Sequence, residues 1–288
     1  MTEITLNVPQ GIGDNFWIYQ KFAPHVDRIN FMIEQFEGPN SQGQNRSVDF
    51  LRLLPKVGQV GKLFVTGHRY GRTAGYRFPM KGVLERAKRG HPSCDYSCNY
   101  PLEQGVRIEE IDPEYAVQET VPLPDTRVDL PGDYLVVFVA CAATFDQPEK
   151  VYGHWPVAKW VDLVTLLYER RGLSWPVVVI GASWDEKAAQ MFSAGIRAAG
   201  LRTILFIQRP AREVVHILRG ARFFVGHQSG LNILADNLDV PQLMVYTRWL
   251  DKMQYAWCKR AHAGDGTFNA ALFPQTPDEI VERLRWTP

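Results

Sequence analysis

Residues 223–246, FFVGHQSGLNILADNLDVPQLMVY, place an apolar run, a glycine-bearing turn, a helix pattern and a second apolar run in direct succession. Phe223, Phe224 and Val225 read as a buried strand. Leu231, Leu234 and Leu238 give the following helix an apolar face before Pro241 helps start the next strand. Ser229 and Gly230 fall at the helix N-terminus, where the first backbone N–H groups have no partner within the helix and the dipole favours an anion. This order of elements points to an α/β protein with a phosphate site. The same order describes a strand-turn-helix unit in any α/β protein, so the phosphate reading rests on what the rest of the chain adds.

With 288 residues, 45% of them hydrophobic, the chain is long enough for two domains of ordinary size. No segment approaches the roughly 18 to 20 apolar residues of a membrane span. The opening MTEITLNVPQ lacks the basic and apolar regions of a secretory signal. Four cysteines in a chain of this size suggest reduced thiols in a cytoplasmic setting rather than a disulfide framework. The net charge of +1 conceals an uneven distribution: residues 52–91 hold ten Lys or Arg and one acid, Glu85, for a local +9. Three Lys or Arg against six acids precede that block, and 19 against 24 follow it. A basic segment in a near-neutral chain points to an anionic partner.

Residues 4–8 read as a strand, 9–14 as a turn and 15–22 as a helix, a Rossmann-like opening that keeps only Gly11-x-Gly13 of a dinucleotide fingerprint. Residues 29–33 and 63–66 are further strand candidates, with a Gly/Asn/Gln-rich loop at 38–46 between them, and residues 67–103 show no clear pattern. The proline density of residues 122–131 marks a linker, which divides the chain into domains 1–127 and 128–288. Beyond it a strand at 134–140 leads into helices at 157–169, 185–199 and 211–219 that alternate with strands at 177–180 and 203–207. Strands alternating with helices predict parallel βαβ units, hence an α/β chain of two Rossmann-like domains facing across a cleft.

The 223–246 segment resembles the nucleotide-sugar signature of the heptosyltransferase family, a GT-B group with the pattern Gly-x-Asp-Ser/Thr-Gly-x-x-His-x-Ala-x-x-Leu-x-x-Pro. Gly226, Ser229, Gly230, Ala235, Leu238 and Pro241 fit it, whereas Gln228 replaces the acid and Ile233 the histidine. Trp155-Pro156-x-x-Lys159-Trp160-x-x-Leu163 is similar to the family's Trp-Pro helix start, and residues 140–150 to the loop that holds donor phosphates. Ile180-Gly181-Ala182-Ser183-Trp184-Asp185-Glu186 resembles its strand, glycine turn and acidic helix start. The resemblance implies a GT-B fold and a nucleotide-diphosphate sugar as co-substrate, with no separate cofactor and no metal. It also implies that the terminal helix returns to the N-terminal domain.

On that reading Ser229 and Gly230 meet the departing phosphate, with Thr144 as a hydroxyl donor. Lys150 and Arg209 compete as the cation, because Gly153 stands where the family has lysine; Lys150 also reads as a solvated loop charge. Asp185 or Glu186, in the turn opened by Gly181, is placed to bind the donor ribose, or else complements its helix dipole. Asp14 matches the family's Gly-Asp turn and is the general-base candidate for an inverting displacement, with helix N-cap as its competing role.

Cations interleaved with aromatic and glycine residues, His68, Arg69, Tyr70, Arg72, Arg77, Lys88 and Arg89, suit a polyanionic acceptor. Phosphorylated lipopolysaccharide core and DNA with hydroxymethylated bases both qualify. His91, Cys94 and Cys98 form a weaker zinc candidate with no fourth ligand nearby. Alternatives to transfer are a nucleotide-sugar epimerase and a degenerate domain that binds nucleic acid or glycan without catalysis.

Overall fold

The computed structural model describes residues 2–8, 11–35, 42–64, 80–96, 120–139, 155–246, 266–272 and 275–288. The chain forms two compact units that divide between Asp125 and Thr126, inside the proline-rich stretch.

The first unit runs β1 (Glu3–Val8), α1 (Ile12–Phe22), β2 (Arg28–Gln35), α2 (Gln42–Leu51), β3 (Val57–Phe64), α3 (Met80–Lys88) and β4 (Cys94–Asp95). Its strands are all parallel, in the order β3-β2-β1-β4. Ile4, Leu6 and Val8 alternate into the core from β1, and β2 supplies Ile29, Phe31 and Ile33. Helix α1 is buried on nearly every side, including Gln20 and Lys21. The Lys21 ammonium lies 5.1 Å from the centre of the Trp17 ring, and Tyr96 stacks on Trp17 and meets Phe22 edge-on.

Helix α2 takes the place of part of the loop expected at 38–46. Its polar first turns hid the pattern, and Val48, Phe50 and Leu51 bury the end of the helix, with Phe50 edge-on to Phe16 of α1 at 5.2 Å. Strand β3 begins six residues before the expected 63–66 and ends at Phe64. Helix α3 emerges from the stretch without clear pattern because Met80, Val83 and Leu84, at helical spacing, are buried.

The second unit runs β5 (Leu135–Phe138), α4 (Val157–Arg171), β6 (Val177–Gly181), α5 (Glu186–Ala198), β7 (Thr203–Ile207), α6 (Ala211–Arg219), β8 (Phe223–His227), α7 (Gly230–Asn237), β9 (Gln242–Tyr246), β10 (Phe268–Leu272) and α8 (Pro277–Arg283). The six strands are parallel, in the order β10-β9-β8-β5-β6-β7. β5, β6 and β8 are continuous apolar runs buried on both faces, as a parallel sheet under two helix layers requires. β10 has weak strand propensity, with an Asn and two Ala, and the ladder to β9 forms it at the sheet edge.

The terminal helix α8 packs on α4 of its own unit. Arg170 of α4 lies 2.6 Å from Asp278 and 3.3 Å from Glu282, and the Arg171 guanidinium donates to the Leu284 carbonyl at 2.8 Å. Trp286, just beyond α8, stacks on Phe223 of β8 with ring centres 4.1 Å apart. Among the described residues no helix is long and apolar enough to cross a membrane.

The Trp286 stack decides where the C-terminus goes, since the Arg170 pairs are half-exposed and contribute at most about 1 kcal/mol each. Trp286→Ala is expected to lower stability by about 3 kcal/mol, and Arg170→Ala by less than half of that, measured as shifts in the denaturant midpoint.

Candidate functional site

In a doubly wound parallel sheet the strand order reverses at one point, where the connections leave in opposite directions and open a crevice at the C-terminal strand ends. In the second unit that point lies between β5 and β8, paired from Leu135↔Phe223 to Phe138↔Gly226. The residues leaving β8 there are His227, Gln228, Ser229 and Gly230. In the first unit it lies between β1 and β4, paired at Leu6↔Cys94 and Asn7↔Asp95, and the residues leaving β1 lead through Gly11 to Asp14. Two short segments singled out in the sequence therefore occupy the two switch points.

The turn after β8 is held by hydrogen bonds running back into the sheet. Ser229 is the extended N-cap of α7; its Oγ accepts from the Leu231 N–H at 3.2 Å, and its own N–H donates to Asn232 Oδ1 at 3.0 Å. The Asn232 amide donates to Gln242 Oε1 at 3.0 Å, and Gln242 Nε2 returns a bond to the Asn232 carbonyl at 3.1 Å, tying the cap to β9. The Ser229 hydroxyl, used here as an acceptor, keeps its proton to donate, and the Gly230 N–H takes no part in the cap. Gln228 is 8% exposed, with its N–H on the Val245 carbonyl and its buried side-chain Oε1 without a partner among the described residues.

His227 was not singled out in the sequence, because a lone histidine at a strand end carries no signal. It is buried, with Nδ1 3.1 Å from the Gln228 carbonyl. Burial holds its pKa below the usual 6.5, opposed by that hydrogen bond and by the charge of Asp185.

Asp185 reaches this neighbourhood from the turn after β6. It is 3% exposed, and its Oδ2 accepts from the Ala182 N–H at 2.7 Å. A Cβ at Gly181 would stand 2.9 Å from Asp185 Cβ, so only glycine lets the carboxyl fold over this turn. Asp185 therefore serves its own turn, and of the two acids considered for ribose Glu186 is the exposed one, accepting from Gln190 at 3.1 Å.

Arg209 follows β7, the edge strand two places from β5, and its Nε is 2.6 Å from Glu213 with the guanidinium 5.6 Å from the Phe206 ring centre. The edge position of β7 places Arg209 two strands from β5 in the sheet order. Thr144 and Lys150 lie outside the described residues.

In the first unit Gly11, not Asp14, caps α1, which corrects the N-cap reading. Asp14 is the third helical residue, half-buried, and its carboxylate turns back so closely over Gly11 that a side chain at 11 would collide with Oδ2. Both units thus use a glycine beneath a folded-back acid at the end of a strand.

Of the acceptor candidates, Lys88 and Arg89 are exposed at the end of α3, with Arg89 3.8 Å from Glu85. His68, Arg69, Tyr70, Arg72 and Arg77 lie outside the described residues. Within the same basic block Lys56 is structural, donating to the Ala23 and Val26 carbonyls. Of the zinc candidate, Cys94 faces the core from β4 and His91 is exposed beside Arg86, while Cys98 lies outside the described residues. Among the described residues no group of three His, Cys, Asp or Glu could hold a metal ion.

Two doubly wound parallel sheets, with an acid after β1 at one switch point and a capped strand-turn-helix at the other, define an α/β protein of two Rossmann-like units. Comparison of the whole fold specifies the class as GT-B. The E. coli heptosyltransferase solved with ADP matches over 97% of this chain and 98% of its own, with a TM-score of 0.55 at 16% identity. The E. coli ADP-heptose lipopolysaccharide heptosyltransferase II matches over 97% and 96%, with a TM-score of 0.55 at 13% identity.

Residues 100–267 match glycosyltransferase family 9 (heptosyltransferase), and the chain belongs to that family. A lipopolysaccharide heptosyltransferase 1 of Pseudomonas aeruginosa is 29% identical over 216 residues, 70% of this chain and 55% of the relative. That of Salmonella typhimurium is 28% identical over 128 residues, 40% of this chain and 38% of the relative. These matches span about half or less of the curated relatives' own length.

The Asp185 carboxylate satisfies a buried backbone N–H, so Asp185→Ala is expected to lower the thermal unfolding free energy by about 1–3 kcal/mol. Glu186→Ala should stay within about 0.5 kcal/mol of the wild type. Equal effects of the two substitutions would show that Asp185 does not hold the turn.

Proposed function

We propose that the protein transfers a sugar from a nucleotide-diphosphate sugar to a hydroxyl of an anionic glycan, by inversion and without a metal. The observation that carries this reading is the capped turn from Gln228 to Gly230 at the β5/β8 switch point, in a chain of glycosyltransferase family 9. Charge builds up on the diphosphate as the sugar–phosphate bond breaks. The Gly230 N–H and the Ser229 O–H are preoriented donors for it, fixed by the Asn232–Gln242 pair rather than by solvent. Asp14 takes the proton from the acceptor hydroxyl as that oxygen attacks the anomeric carbon from the opposite face. Gly11 gives its carboxylate room at the start of α1.

A glycan acceptor is favoured because the curated relatives are named for lipopolysaccharide. The basic block of residues 52–91 suits its phosphates, with the exposed Lys88 and Arg89 available to contact them. DNA offers phosphates too, so the acceptor test includes hydroxymethylated DNA beside phosphorylated lipopolysaccharide core.

A thermal-shift panel of ADP-, UDP- and GDP-sugars is expected to find at least one ligand that stabilises the protein, by about 2.7 kcal/mol at a hundred times its Kd. No shift with any member would remove the donor site. With that donor, Asp14→Asn should lower kcat by about 10²–10⁴ while donor affinity stays within about twofold of wild type, and EDTA should leave transfer unchanged. Full transfer by Asp14→Asn would place the base elsewhere.

A further inference from the structure

Among the described residues, those leading into the turn after β8 include one group that can become cationic, and it is not one that the phosphate reading uses. His227 is the last residue of β8, 5% exposed, one residue before Gln228, whose buried Oε1 has no partner among the described residues, and two before the N-cap of α7. Its Nδ1 is tied to the Gln228 carbonyl at 3.1 Å. With Nδ1 donating to that carbonyl, Nε2 is the nitrogen left to serve a ligand. Arg209, the other described cation considered for the diphosphate, follows the edge strand β7 and is paired with Glu213.

We infer that His227 takes up a proton when the diphosphate of a nucleotide sugar binds, and that the resulting imidazolium supplies the positive charge facing the leaving group. The inference rests on the proposed donor site and adds to it a residue and a protonation step. No covalent bond changes: the proton comes from solvent, adds to Nε2 and leaves again when the nucleoside diphosphate departs.

Three features make the uptake conditional on ligand. Burial keeps the imidazole neutral in the ligand-free protein. Asp185, the charged group acting on it among the described residues, pulls the other way but is itself engaged with the Ala182 N–H. Position 228 is the neutral Gln228 rather than an acid, so the residue that follows His227 adds no second carboxylate to that of Asp185. An arriving diphosphate adds negative charge next to a desolvated ring, where an opposite charge within about 4–6 Å raises the pKa strongly.

The sign of the pH dependence follows. Without ligand, the folded pKa lies below the unfolded value near 6.5, so the histidine contribution to stability is present above the unfolded value and is lost as pH falls from there through the folded one. With ligand the folded pKa is raised, so binding tightens as pH falls between the bound and free values, by up to about tenfold per unit.

The probes are ADP-heptose and UDP-N-acetylglucosamine, whose esterified diphosphates do not titrate near neutrality as a free terminal phosphate does. Calorimetric titration between about pH 6 and pH 8, in buffers of different ionisation enthalpy, is expected to show net proton uptake approaching one. Affinity should rise toward low pH, and both effects should vanish in His227→Gln. Imidazole nitrogen shifts of the wild type, read by NMR with and without the probe, give the same answer without a variant. Equal proton uptake in His227→Gln, or a wild-type ring that stays neutral in the complex, would overturn the inference alone. Failure of the wild type to bind either probe would overturn it together with the donor site.

Discussion

The reversal of strand order between β5 and β8 is the constraint on which the rest of the second unit depends. A parallel sheet buried on both faces satisfies its backbone groups only internally, so its strands must be short, apolar and continuous. β5, β6 and β8 meet that demand with almost no polar atoms, and polar chemistry is thereby expelled to the strand ends. At the reversal the connections diverge. What the sequence writes immediately after Phe138 and His227 is therefore what a ligand would meet.

The two units solve the same local problem in the same way. Each must turn sharply from a strand into a helix while holding a carboxylate near the exposed backbone N–H groups, and each does so with a glycine under the acid, Gly11 under Asp14 and Gly181 under Asp185. The outcomes differ in burial. Asp185 is almost wholly enclosed and spends one oxygen on the Ala182 N–H, whereas Asp14 is half-buried. A carboxylate that retains access to water can exchange protons with a substrate; one sealed over its own turn serves mainly to hold the backbone.

Much of this was legible in the sequence, and the parts that were not have physical causes. The parallel βαβ alternation of residues 134–246 was clear because each strand is an unbroken apolar run and each helix has one apolar face. Helix α2 was hidden by a polar start, β10 by two alanines at an edge, and α3 by flanking glycine and basic residues. The Ser229–Gly230 turn was found by its order among the elements, yet its rigidity comes from Asn232 and Gln242, ten positions apart and paired only in three dimensions. His227 was missed for the same reason: its burial and the charge of Asp185 belong to the folded sheet, not to any local spacing. For Arg209 the sequence shows a strand end but not that the strand is the outer one of its sheet.

The central claim is that the turn at the β5/β8 reversal receives the diphosphate of a nucleotide sugar. Its most direct test is amide NMR of the labelled protein titrated with the nucleotide sugar that the protein binds. The expected result is a large downfield shift of the Gly230 N–H, with smaller changes confined to residues of the turns after β5, β6 and β8. An unmoved Gly230 amide in a saturated complex, with the shifts clustered elsewhere, would contradict it.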